Sequence, residues 1–190
     1  MKNLILAAAL CLGAAPASAG APAGAAYTEG KYFTITVPGG WTKKDEGFGL
    51  SDEEKKVFGA DFFGPAADGL AVRIGVHYYA PGNLVQPTPE KFIKLHSQPA
   101  IGVNVDGKVY GKVAAGKAGN YYARVFERKT FEYEPKEALH PKKIHVYEKF
   151  HVVPVKNGFY VLRYYAPMDL AKANLKHYQA VLASFKPLAR

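Results

Sequence analysis

Six histidines, a long basic stretch and a shortage of serine and cysteine frame the chemistry open to this chain of 190 residues. The histidines are His77, His96, His140, His145, His151 and His177. Imidazole changes charge near neutral pH and is the commonest metal ligand, so these positions are weighed first. His140 and His145 flank Pro141-Lys142-Lys143, whose ammonium groups oppose a divalent cation. His145 and His151 fall on one face of a single strand. Six residues at ~3.3 Å each hold them ~20 Å apart, too far to share an ion. No metal site and no cofactor are assigned on this pattern. Beyond residue 19 the serines are Ser51, Ser97 and Ser184, and none lies in Gly-x-Ser-x-Gly or Ser-x-x-Lys. Phosphate-binding glycine motifs and His-Glu-x-x-His are absent too, which disfavours a hydrolase.

The sharper candidate is a hairpin running from Asn120 to Val153 around a loop at Glu134–Lys142. If Val125 and Phe131 share a face with Ile144, Val146, Phe150 and Val152, odd positions pair with even ones. That register sets Lys129 opposite Glu148, His145 opposite Glu132, and Lys149 opposite Arg128. One face would then display Arg124, Arg128, His145, Lys149 and His151 together with Tyr147. Like charges facing one another are unfavourable unless an anion screens them, so these five residues are read as a ligand-binding platform for an anionic partner.

Charge and compartment point the same way. Lys2 precedes an apolar run from Leu4 to Leu12, and Pro16 leads into Ala17-Ser18-Ala19, a small-x-small cleavage site. Residues 1–19 are expected to be an export signal cut after Ala19, since a spanning helix needs about 18 or more apolar residues. The leader carries the sole cysteine, Cys11, leaving the mature chain without disulfide or thiolate chemistry. Removing Lys2 takes the net charge from +9 to +8. Residues 101–190 hold sixteen basic and seven acidic side chains, so the excess lies in the second half. A periplasmic or secreted protein of this charge is expected to meet a protein or an anionic envelope component rather than nucleic acid.

The elements that must position these residues are strands for the most part. Residues 20–26 read as an Ala/Gly/Pro leader and residues 27–187 as one domain. Strands are expected at Tyr32–Val37, Val57–Phe63, Leu70–Tyr79, Lys108–Ala114, Asn120–Tyr133, Ile144–Val153 and Phe159–Ala166. Asp52-Glu53-Glu54-Lys55-Lys56 reads as a charged turn, and Trp41 should pack over the start of the sheet. A short helix begins at Pro89 with Thr88 as its cap. A longer one runs from Asp169 to Phe185, its apolar stripe made by Leu170, Ala171, Leu175, Tyr178, Val181, Leu182 and Phe185. The pairs Tyr78-Tyr79, Tyr121-Tyr122 and Tyr164-Tyr165 put an aromatic on each side of a strand, implying cover on both faces. The class is therefore α+β, an antiparallel β-sheet flanked by helices.

Two segments carry a family resemblance. Tyr32-Phe33-Thr34-Ile35-Thr36-Val37-Pro38-Gly39-Gly40-Trp41 resembles the strand and Pro-x-Gly-Trp that open PsbP-like domains. Gly158-Phe159-Tyr160-Val161-Leu162, Tyr165-Ala166-Pro167 and the ending Tyr178-Gln179-Ala180-Val181-Leu182-Ala183-Ser184-Phe185-Lys186 resemble that family's closing strand and Ser-Phe-terminated helix. The resemblance implies an α/β/α sandwich and, since most members bind proteins, a non-enzymatic binding or accessory role. An enzyme using His77, His145 or His151, or a secretion-associated chaperone, are the alternatives.

Overall fold

The computed structural model describes residues 24–44, 50–99, 102–103 and 107–189. The expected export signal and its cleavage point lie outside them. The strands are β1 (Ala25–Glu29), β2 (Phe33–Val37), β3 (Thr42–Lys44), β4 (Val57–Ala67), β5 (Leu70–Tyr79), β6 (Val109–Tyr110), β7 (Ala114–Ala118), β8 (Tyr121–Glu134), β9 (Lys142–Val155), β10 (Gly158–Pro167) and β11 (Lys186–Pro187). The helices are α1 (Asp52–Lys55), α2 (Pro89–His96) and α3 (Met168–Ser184). β1 starts at Ala25, inside the stretch read as a leader.

Eight strands form one antiparallel sheet in the order β3-β4-β5-β10-β9-β8-β6, with β7 also pairing β8. The expected strand at Lys108–Ala114 is thus two short pieces along one edge. β1, β2 and β11 form a second, smaller sheet. The central β5, β10 and β9 are joined or flanked by tight turns. Gly158 sits in one of them at φ +103, a conformation costly for any residue with a Cβ.

One face of the large sheet is covered by α3 and the small sheet. Phe33, Ile35 and Val37 alternate inward from β2, while Ala171, Asn174, Tyr178 and Val181 line the buried side of α3. Three wholly buried tyrosines fit this core because each hydroxyl meets a backbone carbonyl. Tyr160 donates to Tyr32 O at 2.6 Å, Tyr164 to Ala171 O at 2.8 Å and Tyr178 to Leu162 O at 2.8 Å. Leaving one unpaired would cost roughly 1–3 kcal/mol.

The other face carries α2, whose Phe92 packs with Phe126, Phe150, Val152, Phe159 and Val161. The result is a helix–sheet–helix sandwich, an α+β fold of the anticipated class. Thr88 caps α2 as expected, its hydroxyl accepting from Lys91 N–H at 3.2 Å. The charged segment after Ser51 is a short capped helix rather than a turn, because Ser51 and Glu54 form a reciprocal capping box. α3 begins one residue early, at Met168, with Pro167 at the N-cap. Trp41 lies against Gly64, where a Cβ would come within 2.6 Å of the indole. Ser184 and Phe185, two residues of the resemblance, act in packing. Ser184 Oγ accepts from Thr36 N–H at 2.8 Å, and the Phe185 ring lies 5.3 Å from that of Tyr160.

Candidate functional site

The expected basic platform is dismantled by the register of its own hairpin. β8 pairs β9 even with even: Arg124↔Val152, Phe126↔Phe150, Arg128↔Glu148, with Glu127↔Lys149 and Phe131↔His145 between them. Shifting the pairing by one residue sends one strand's side chains to the opposite face. Arg124 and Arg128 therefore stand on the α2 face, whereas His145, Lys149 and His151 stand on the α3 face. Lys149 faces an acid rather than Arg128; its Nζ lies 3.9 Å from Glu127 Oε2. His145 is exposed and edge-on to Phe131. His151 is buried, and its Nδ1 lies 2.9 Å from the Tyr178 hydroxyl. Since that hydroxyl gives its only proton to Leu162 O, His151 Nδ1–H is the donor. Burial, helped by Lys149, pushes this imidazole down to about 4, so it is neutral at pH 7. The physical reason for the different register is that the inner end of the hairpin is packed on both faces, with Phe126, Phe150 and Val152 on one and Ala123, His151 and Val153 on the other. Apolar residues such as Val125 and Phe126 then occur at both parities, and patterning cannot choose between registers.

What the register assembles is a cleft on the α2 face. Its floor is read off the pairing in rows. Asp61, Gly75, Arg163 and Phe150 form one row across β4, β5, β10 and β9. His77 and Val161 belong to the next row, with Gly59 beside them, while Phe63, Arg73, Tyr165, Glu148 and Arg128 form the row on the other side, next to the cavity rather than lining it. Phe92 and His96 of α2 wall the cleft, Val85 and Lys55 stand at its margin, and it encloses about 270 Å³.

Glu148 organises this floor. It is 1% exposed, at a position where the neighbouring Val146 and Phe150 are core residues. A carboxylate there is tolerable only with charged partners. Arg128 donates through Nε to Oε2, and Arg163 donates through Nε to Oε1 at 2.9 Å and through Nη2 to the same oxygen. Burial alone would raise the Glu148 carboxyl, but the two guanidinium groups outweigh it and hold it below its ordinary value. Two cations on one anion leave the triad one positive charge in excess. Arg163 keeps a third of its side chain exposed, and only two of its five N–H groups are engaged by Glu148. Both guanidinium groups lie over the Phe150 ring, at 5.3 Å for Arg128 and 5.7 Å for Arg163.

Asp61 and His77 form the second polar pair, His77 Nε2 standing 3.6 Å from Asp61 Oδ2. Glycines make it possible. A Cβ on Gly59 would fall 2.6 Å from the His77 ring, and one on Gly75 would fall 2.5 Å from Asp61 Oδ1. Burial lowers the His77 imidazole, with Asp61 only partly offsetting it. His96 stacks on Phe150, and burial together with Arg128 and Arg163 brings it down to about 4. At neutral pH the cleft thus presents a guanidinium, a carboxylate, two neutral imidazoles and aromatic walls, with the Lys55 ammonium at its margin. Among the described residues no group of three or more His, Cys, Asp or Glu is placed to hold a metal ion.

Of the five platform residues only Arg128 belongs to this site, and it does so through Glu148. His77, named above for the enzyme alternative, also lines the cleft. Sequence reasoning does not bring Asp61, His96, Glu148 and Arg163 together. A signal exists in Glu148, the lone acid in the alternation Ile144, Val146, Glu148, Phe150, Val152. It calls for cations on both neighbouring strands.

No family model matches the chain, and no curated protein is recognisably similar to it in sequence. Solved structures are similar in fold. A protein from Bacteroides thetaiotaomicron aligns at TM-score 0.52 and 12% identity over 87% of this chain, which spans about half, 49%, of that protein's length. LpqN, described as involved in cell envelope biogenesis of Mycobacterium tuberculosis, aligns at 0.45 and 17% identity over 89% of this chain and 87% of its own. Cyanobacterial PsbP from Synechocystis aligns at 0.48 and 12% identity over 93% and 98%. Among the described residues no helix is long and apolar enough to cross a membrane. At these identities the likeness to each is one of fold alone.

Proposed function

We propose that this chain is an exported, non-enzymatic binding or accessory protein of the cell envelope, and that it holds an anionic group of its ligand in the α2-face cleft. The observation that carries the reading is Arg163. It is fixed by a buried carboxylate, belongs to a triad with excess positive charge, and lines the cavity with a third of its side chain exposed. A guanidinium held in this way loses little conformational freedom on meeting a carboxylate or phosphate. The expected leader and the basic second half support the setting. Splitting of the platform moves the anion site from the hairpin's exposed side to the cleft.

The test is site-specific photo-crosslinking in native envelope, with the reactive residue at Val85 on the cleft margin or at Lys172 on the exposed side of α3. Adducts are expected from position 85 alone, reduced about tenfold by added salt or by Arg163→Lys, which keeps Glu148 paired but removes the fork. Equal adducts from both positions, or none affected by Arg163→Lys, would overturn the proposal. Turnover of an envelope substrate that disappears in His77→Gln would establish the enzyme reading instead.

A further inference from the structure

We infer that the cleft takes a small zwitterion, a free α-amino acid with an apolar side chain, whose carboxylate bonds Arg163 and whose ammonium bonds Asp61. The inference rests on the proposed anion site and adds the second pole. Asp61, Gly75 and Arg163 are register partners in a single row, so anion and cation stand one strand on either side of a residue without a side chain. Neighbouring strands are ~4.8 Å apart, which puts the two Cα atoms ~10 Å from each other. The Asp61 carboxylate leans over Gly75 toward β10, since a Cβ there would lie 2.5 Å from Oδ1. The Arg163 head is drawn the other way, toward Glu148 in the adjacent row. The two poles thereby stay apart, the carboxylate over Gly75 and the guanidinium drawn toward β9.

The surroundings suit both poles. His77 holds one side of the Asp61 carboxylate and, being neutral, leaves its charge uncancelled. An ionised carboxylate offers only acceptors, so an ammonium is the complement it selects. Phe92, Phe150, Val161 and Tyr79 supply an apolar wall beside this row. At about 270 Å³ the cavity is metabolite-sized, below the usual range for larger ligands.

Isothermal titration at pH 7 and low salt decides the matter, using phenylalanine and leucine of both hands, N-acetyl-phenylalanine and phenylalanine amide. Saturable one-to-one binding is expected for a free amino acid. Blocking either end should weaken it at least about tenfold, the loss of one charge-assisted bond. Asp61→Asn should weaken the free amino acid by a similar factor and leave the N-acetyl compound unaffected. Gly75→Ala, which displaces the carboxylate, should do the same while circular dichroism shows the sheet intact. If the N-acetyl compound binds as tightly as the free amino acid, the second pole is refuted and the anion site stands. If none of the free amino acids binds while crosslinking at position 85 succeeds, the zwitterion alone is refuted. If the amide binds as tightly as the free acid, the anion site falls with it.

Discussion

Replacing Glu148 by Gln tests the centre of the site without knowledge of any ligand. The variant keeps size and shape but leaves Arg128 and Arg163 facing each other across a neutral amide. Breaking a buried ionic group in this way costs about 3–5 kcal/mol, because the orphaned charge is no longer compensated. Here the arginine side chains are 18% and 34% exposed, so water relieves part of the penalty and the lower figure, about 3 kcal/mol, applies. With a urea slope of about 2 kcal/mol per M, the unfolding midpoint falls by about 1.5 M. A triple variant, Arg128→Met, Glu148→Leu and Arg163→Met, should recover most of that loss, since well-packed apolar replacements of buried ion clusters are neutral or stabilising. The same carboxylate makes a pH prediction. Its folded-state pKa lies below the usual 4.5, so the stability it confers is present above that value and is lost as pH falls through the folded pKa. The acid branch of the urea midpoint should therefore flatten in Glu148→Gln. A loss under about 1 kcal/mol with an unchanged acid branch would refute the buried triad and the cleft built on it.

Further outcomes follow from the same contacts. Gly59→Ala drives a Cβ into Val76 O, a backbone atom that cannot yield, and should lower the midpoint far more than Gly75→Ala, which meets a side-chain carboxylate. Tyr178→Phe strips partners from Leu162 O and His151 Nδ1 and should cost roughly 1–3 kcal/mol in urea unfolding. His96 and His151 should titrate by NMR with midpoints near 4 rather than 6.5, and because the unfolded chain takes up those protons first, stability should decline from about pH 6.5 down toward 4. Lys149→Gln should move the midpoint by no more than the ~0.5 kcal/mol of an exposed pair, since Lys149 answers Glu127 and not Arg128.

The ends of the chain are readable for a physical reason. Phe33, Ile35 and Val37 alternate because one side of β2 is buried, and the stripe through Leu170, Tyr178 and Val181 repeats at three and four because one side of α3 is. Thr88 before Pro89, and Gly158 after Lys156-Asn157, are local rules that hold whatever surrounds them. The segment at Asp52 has the composition of a turn, yet the capping box at Ser51 and Glu54 makes it a turn of helix.

The hairpin is not readable in the same way. Around Phe150–Val153 the hairpin is buried on both sides, so Val125 and Phe126 compete for the same inference and the register is decided by what the other strands offer. Glu148 settles it: a carboxylate buried in that row must meet Arg128 on β8 and Arg163 on β10. The lone acid in the alternation signals a need for cations but does not say which positions on the neighbouring strands supply them. By itself the sequence determined an antiparallel sheet between helical layers, because burial imposes periods of two and 3.6 on it. Only the tertiary structure decided where the chemistry lies, because Asp61, His77, His96, Glu148 and Arg163 come from five elements and meet through strand pairing across the sheet and the packing of α2 upon it.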